Sequence, residues 1–187
     1  RRDQCPRRPR PPRHGGPGEG RVGSADGPVA ALAENERHVA HAGWDTPARL
    51  FALVPTAELL AAERSLAGQL AAPTAPDALS SIEQDGFHAG DDVVDALARI
   101  AWPPTVFGAA LVLERLFLPA GLEADLPDDP DAAAAAVAAH PARQDVRVVV
   151  GVTRDGAHHG LARLKSHPED LLAAPDLVPG LADALAQ

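Results

Sequence analysis

The stretch Asp145–Lys165, DVRVVVGVTRDGAHHGLARLK, constrains the fold of this chain more than any other. Val146, Val148, Val150 and Val152 fall on alternate positions, the period of a strand with one face buried. On the return segment Gly160, Ala162 and Leu164 share one parity. Two strands, Asp145–Thr153 and Ala157–Lys165, therefore form a hairpin around Arg-Asp-Gly. A two-residue Asp155-Gly156 turn would set Val148 against Arg163. A three-residue loop, Arg154–Gly156, with Gly156 left-handed in a G1 bulge, sets Val146 against Leu164 and Val148 against Ala162. A slip of one residue exchanges the two faces of a strand, so the apolar match selects the three-residue loop.

Around this hairpin the sequence predicts helices over Pro28–Ala42, Thr56–Glu63, Asp91–Ala101, Ala132–His140 and Val178–Ala186. Asp26, Thr56 and Asp129 or Asp131 stand where caps are needed. Gly43 suits a left-handed helix terminus. Strands are predicted at Arg49–Val54 and Val106–Leu118. The second is apolar at both parities and should lie centrally, covered on both faces. Ala71–Gly90 holds two prolines and two glycines and reads as a long loop. The fold class expected is mixed α/β of the α+β type. Its sheet has about four strands, mixed or antiparallel, includes the C-terminal hairpin, and carries helices packed on it.

Residues 1–26 differ in kind. They are rich in Arg, Pro and Gly and too poor in apolar residues to offset the entropy of ordering. This tail is expected to be disordered and need not be native to the protein; residues 27–187 form the single domain. Residues 1–21 hold seven Arg against Asp3 and Glu19, a charge of +5. The other residues hold 10 basic and 24 acidic side chains, a charge of −14. An acidic body repels phosphate backbones, so no nucleic-acid partner is expected for residues 27–187. No apolar run reaches the roughly 20 residues of a membrane span, and no secretory signal is legible. The single Cys5 forms no internal disulfide, which suits a reducing cytoplasm.

Chemical motifs are few. Glu34, His38 and His41 recur at i, i+4 and i+7 on the first helix, a spacing that can present three ligands to zinc or iron. The polar face of an amphipathic helix produces the same pattern, so no metal site is assigned. These three residues are the ones on which an alternative reading, a metal-dependent hydrolase, would rest. His158 and His159 are neighbours on a strand and point to opposite faces. No catalytic residue is assigned and no cofactor is expected. Glu114 and Arg115 interrupt the central strand, where a buried charge is costly unless paired; Arg49, Arg147 and Arg163 are the candidate partners for Glu114.

Two tryptophans raise a last question. Trp44 and Trp102 each follow a predicted helix, and each precedes an Ala-Leu-Val triplet by eight residues. A large ring there can plug the seam between helix end and sheet, so both read as structural joints. Asp45 and Arg49 are then the parts of that segment expected to meet a partner. With Glu114 and Arg115 they make up the candidate binding residues.

In the segments GWDTPARLFALVPTAELLAAE, ARIAWPPTVFGAALVLERLFLP and VRVVVGVTRDG the chain resembles an uncharacterised family of small actinobacterial proteins, over about residues 27–187. The resemblance implies no activity, cofactor or catalytic residue. It implies at most a shared process with a Lon-like PDZ protease and a zinc metalloprotease, whose genes tend to lie nearby. The expectation is a cytoplasmic, non-enzymatic interaction or adaptor protein with an unknown protein partner. A small-ligand-binding module with a pocket beside the sheet is the third possibility.

Overall fold

The computed structural model describes residues 26–69, 75–173, 177–178 and 180–186. The tail, Asp26 aside, and part of the predicted long loop lie outside the described residues. Six strands form one sheet: β1 (Arg49–Pro55), β2 (Leu79–Glu83), β3 (Gly108–Phe117), β4 (Gln144–Thr153), β5 (His158–Leu164) and β6 (His167–Ala173). Their order is β2-β1-β3-β4-β5-β6, and every neighbouring pair is antiparallel. Five α-helices are described: α1 (Asp26–Ala40), α2 (Thr56–Ala62), α3 (Val93–Leu97), α4 (Pro130–Ala139) and α5 (Leu181–Leu185).

Strand alternation divides the core in two. Leu50, Leu111, Val148 and Val150 face one way, beneath Leu181, Ala182 and Leu185 of α5 and Leu97 of α3. Phe51, Ala110, Val112, Val149 and Leu161 face the other way, beneath Ala31, Leu32 and Val39 of α1. The apolar parity of β3 and β4 thus needs a helix on each side, and α1 and α5 supply it. Burial of β3 on both faces holds as far as Leu113. Beyond that the strand runs past its covering helices, and Arg115 and Leu116 are exposed.

The hairpin has the predicted register: Val146 opposes Leu164 and Val148 opposes Ala162. Gly156 sits at φ 83°. The Gly156 N–H donates to the Thr153 carbonyl at 2.9 Å and the Thr153 N–H to the Ala157 carbonyl at 3.0 Å, which closes the three-residue loop. A Cβ at Gly156 would meet nothing within 4 Å, so only the left-handed backbone opposes a side chain there. Gly156→Ala is therefore expected to cost about 1–2 kcal/mol in urea unfolding. Gly156→Asn should cost less, because Asn tolerates that conformation.

The sheet is larger than expected, with six strands rather than about four. β2 lies inside the segment read as a loop. Its sequence, LSSIE, has no apolar run between the flanking prolines and glycines, and it owes its conformation to the ladder with β1. β6 is exposed at all seven residues and so carries no hydrophobic periodicity. It pairs with β5 through a register shift between Arg163 and Leu164. Pro168, Glu169 and Asp170 fall at that irregularity, a combination that guards a sheet edge against further strand addition.

Helix ends differ in detail. Asp26, expected as a cap, is the first residue of α1. Pro55 rather than Thr56 holds the cap position of α2, and the Thr56 hydroxyl instead bonds that of Ser80 at 2.9 Å. Asp92 caps α3 by accepting from the Val94 and Asp95 N–H groups at 2.8 and 3.2 Å. α3 ends at Leu97, short of the expected Ala101. Asp129 caps α4 as expected. No helix among the described residues is long and apolar enough to cross a membrane.

Candidate functional site

The alternation that buries the valines of β4 turns Arg147 toward α1. Across the ladder Glu114 of β3 stands opposite Arg147, and Arg163 of β5 stands opposite it on the other side. Three charged residues thus form a row across three adjacent strands. Above the row α1 lowers Glu36, which is 1% exposed, and Arg147 beneath it is 2% exposed. A buried ion pair offsets its desolvation cost only when its geometry is good and its remaining hydrogen-bonding capacity is filled.

Here it nearly is. Arg163 holds Glu36 in a fork, Nε to Oε1 at 2.8 Å and Nη2 to Oε2 at 2.9 Å. This carboxylate pushes the Arg163 guanidinium above its ordinary pKa. Arg147 reaches Glu36 Oε1 with Nη1 at 3.4 Å and Glu114 Oε1 with Nη2 at 3.3 Å, and Nη2 also donates to the Gly43 carbonyl. Glu114 accepts from the Asp45 N–H at 2.8 Å and from the Thr46 hydroxyl at 3.3 Å. One polar atom of the network remains: the Nε of Arg147 is buried without a partner among the described residues.

The turn after α1 completes the site. Gly43 at φ 87° and Asp45 at φ 63° reverse the chain. Asp is among the few residues that adopt this conformation readily. The reversal lays the Trp44 ring over the Arg147 guanidinium, with Cζ 4.4 Å from the ring centroid, and places Lys165 Nζ 5.5 Å from it. Beside the ring opens a cleft of about 440 Å³, bordered by Arg37, His41, Trp44, Arg147, Arg163 and Pro168, with Glu36 at its base. Glu114 in the row and Glu36 above it are both occupied. Arg37 and Lys165 pair with no carboxylate among the described residues. In the lining Arg37, Arg147 and Arg163 outnumber Glu36, while Glu169 acts on Arg163 from outside it, so the cleft keeps positive charge in an acidic body and can receive a carboxylate on its cationic groups rather than on the Trp44 face.

The predicted binding residues divide. Asp45 and Glu114 belong to this network, Asp45 through its backbone. Arg49 lies at the β1–β2 edge, where its Nε is 3.5 Å from Glu83 Oε1. Arg115 is exposed and, as the strand neighbour of Glu114, points away from α1. Of the three residues considered as metal ligands, His38 bonds Glu83 at 3.1 Å and His41 Nδ1 bonds the Arg37 carbonyl at 2.7 Å. Among the described residues no three His, Cys, Asp or Glu side chains are grouped to hold an ion. Glu36 and Lys165 were not legible as site residues. The one available signal was Arg147 itself, a charge inside a valine run on the parity opposite Val146 and Val148.

The two tryptophans are not equivalent. β1 and β3 are antiparallel, with Arg49 opposite Val112, so Trp44 and Trp102 lie at opposite ends of the sheet. Trp102 packs on the apolar clusters, as expected of a joint. Trp44 covers an ion-pair row instead of an apolar seam.

The fold and cleft together define an α+β domain: one antiparallel sheet between helices, with a tryptophan-covered ion-pair row at one end. The profile of the PPA1309-like protein family matches residues 29–187, and the chain belongs to that family. No curated protein and no solved structure matches it.

Proposed function

We propose that this protein is a non-enzymatic, cytoplasmic interaction protein that holds an acidic segment of a partner protein in the Trp44 cleft. The observation that carries this reading is Arg147. It is buried, linked to two carboxylates and stacked beneath Trp44, which fixes an arginine and a tryptophan together in the lining of an open cleft. Trp and Arg are the residue types in which binding energy concentrates at protein interfaces. Arg37 lines the cleft and Lys165 lies 5.5 Å from the Trp44 ring, and both would attract a partner of opposite charge.

Calorimetric titration of the full chain with a Glu-rich peptide tests this. Saturable binding is expected, weakening as salt screens the contact. Lys165→Glu should weaken it by about tenfold, a change of roughly 1.4 kcal/mol. Equal binding of a Lys-rich peptide of the same length, or no effect of Lys165→Glu, would overturn the proposal.

A further inference from the structure

A second cleft, of about 290 Å³, lies at the other end of the sheet. It opens between the first turn of α1, the approach to β2 and the β4–β5 hairpin. Its apolar walls come from Pro28, Pro55, Pro76, Leu79 and Phe107, and its polar groups from Asp77, Asp155 and His159. The volume is at the low end of small-molecule sites, which run from about 300 to 1,000 Å³.

The hydrogen-bonding character of this cleft is one-sided. The three prolines have no N–H to offer. The neighbouring backbone donors are already engaged: Ala78 N–H on the Ala75 carbonyl, Phe107 N–H on the Leu53 carbonyl, and Thr153 N–H on the Ala157 carbonyl. Gly27 N–H donates to Asp77 Oδ2 at 3.3 Å. The Thr153 hydroxyl and the Ala157 N–H both donate to Asp155 Oδ1, at 2.5 and 3.3 Å. Each aspartate therefore keeps one oxygen with no partner among the described residues. The hydrogen bonds from Thr153 and then Ala157 hold the Asp155 carboxyl below its ordinary value, so it is ionised at neutral pH. The Nε2 of His159, in the same lining, is buried without a partner among the described residues.

The exposed Asp155 and the half-buried Asp77 thus leave negative charge and free carboxylate oxygens on an otherwise apolar surface, beside the His159 ring. A ligand for such a surface must donate hydrogen bonds, carry positive charge and present an apolar body. We propose that this cleft binds a small organic ammonium ion, with its N–H groups on Asp77 and Asp155 and its hydrocarbon against the proline and Phe107 walls. This site is independent of the Trp44 cleft, and either can fail without the other.

Benzylammonium is a suitable probe, followed on the full chain by amide NMR, with benzyl alcohol and benzoate as matched controls. The expected result is a saturable shift at Ala157, His159 and Leu79 with benzylammonium, and at least tenfold weaker binding of both controls. Asp155→Asn and Asp77→Asn each keep the carbonyl oxygen that accepts the local hydrogen bond and remove only the charge. Each should weaken benzylammonium binding by about tenfold while the remaining amide spectrum stays unchanged. Absence of a saturable shift, equal binding of benzyl alcohol, or full binding by both Asn variants would overturn the assignment.

Discussion

Glu36→Ala is expected to destabilise the protein by about 3–5 kcal/mol in urea unfolding. Glu36 is 1% exposed and is held by two guanidiniums. Its removal leaves Arg147, itself 2% exposed, with one carboxylate in place of two, and leaves Arg163 without its fork. The loss comes from desolvated cations left behind more than from the attraction removed. Replacing the three together, Glu36→Leu with Arg147→Met and Arg163→Leu, should therefore restore part of the stability, because the apolar residues have no charge to desolvate and Glu114, which loses Arg147, is partly exposed and keeps the Asp45 N–H and the Thr46 hydroxyl. The triple variant separates two roles of the row. Stability near that of the wild type with loss of acidic-peptide binding would mean that the charges serve recognition rather than folding. A triple variant less stable than Glu36→Ala would show that the row is needed for the fold itself.

Leu32→Ala is the second large effect, at about 2–5 kcal/mol. Leu32 is fully buried and, with Ala31 and Val39, seats α1 on the sheet. It reaches β4 at Gly151, where an added Cβ would lie 2.7 Å from Leu32 Cδ2 and 3.0 Å from Cδ1. Gly151→Ala alone should cost about 1–3 kcal/mol through overpacking. The two changes should compensate in part, since the new methyl group occupies space that the leucine vacates. The double variant is expected to be more stable than the sum of the single losses predicts. Strict additivity in a double-mutant cycle would mean that α1 does not seat on Gly151.

How far the sequence was legible depended on which residues carry periodicity. The β4–β5 register could be read to the residue, because valine parity on one strand and Ala162 and Leu164 on the other admit a single loop length. The central position of β3 followed from its two apolar parities. β2 and β6 were not legible, since LSSIE and HPEDLLA have no apolar alternation and take their conformation from neighbouring strands. The site divides in the same way. Glu114 stood out because it interrupts an apolar strand, and Arg147 was among its named partners. Glu36 did not stand out, because one carboxylate on a polar helix looks like any other until the helix is docked. The equal spacing of Trp44 and Trp102 suggested equivalent joints. The antiparallel pairing of β1 and β3 separates them, and only Trp102 has apolar surroundings.

Trp44 fluorescence in a Trp102→Phe background tests the central claim most directly, since Trp44 is then the sole tryptophan. The ring lies 4.4 Å from Arg147 Cζ and borders the cleft, so an acidic segment seated there must change its emission. Titration with a Glu-rich peptide should give a saturable change in intensity or wavelength that Lys165→Glu or Arg37→Glu weakens by about tenfold. Unchanged emission at saturating peptide, or a change that both charge-reversed variants retain in full, would contradict the assignment of the Trp44 cleft as the partner-binding site.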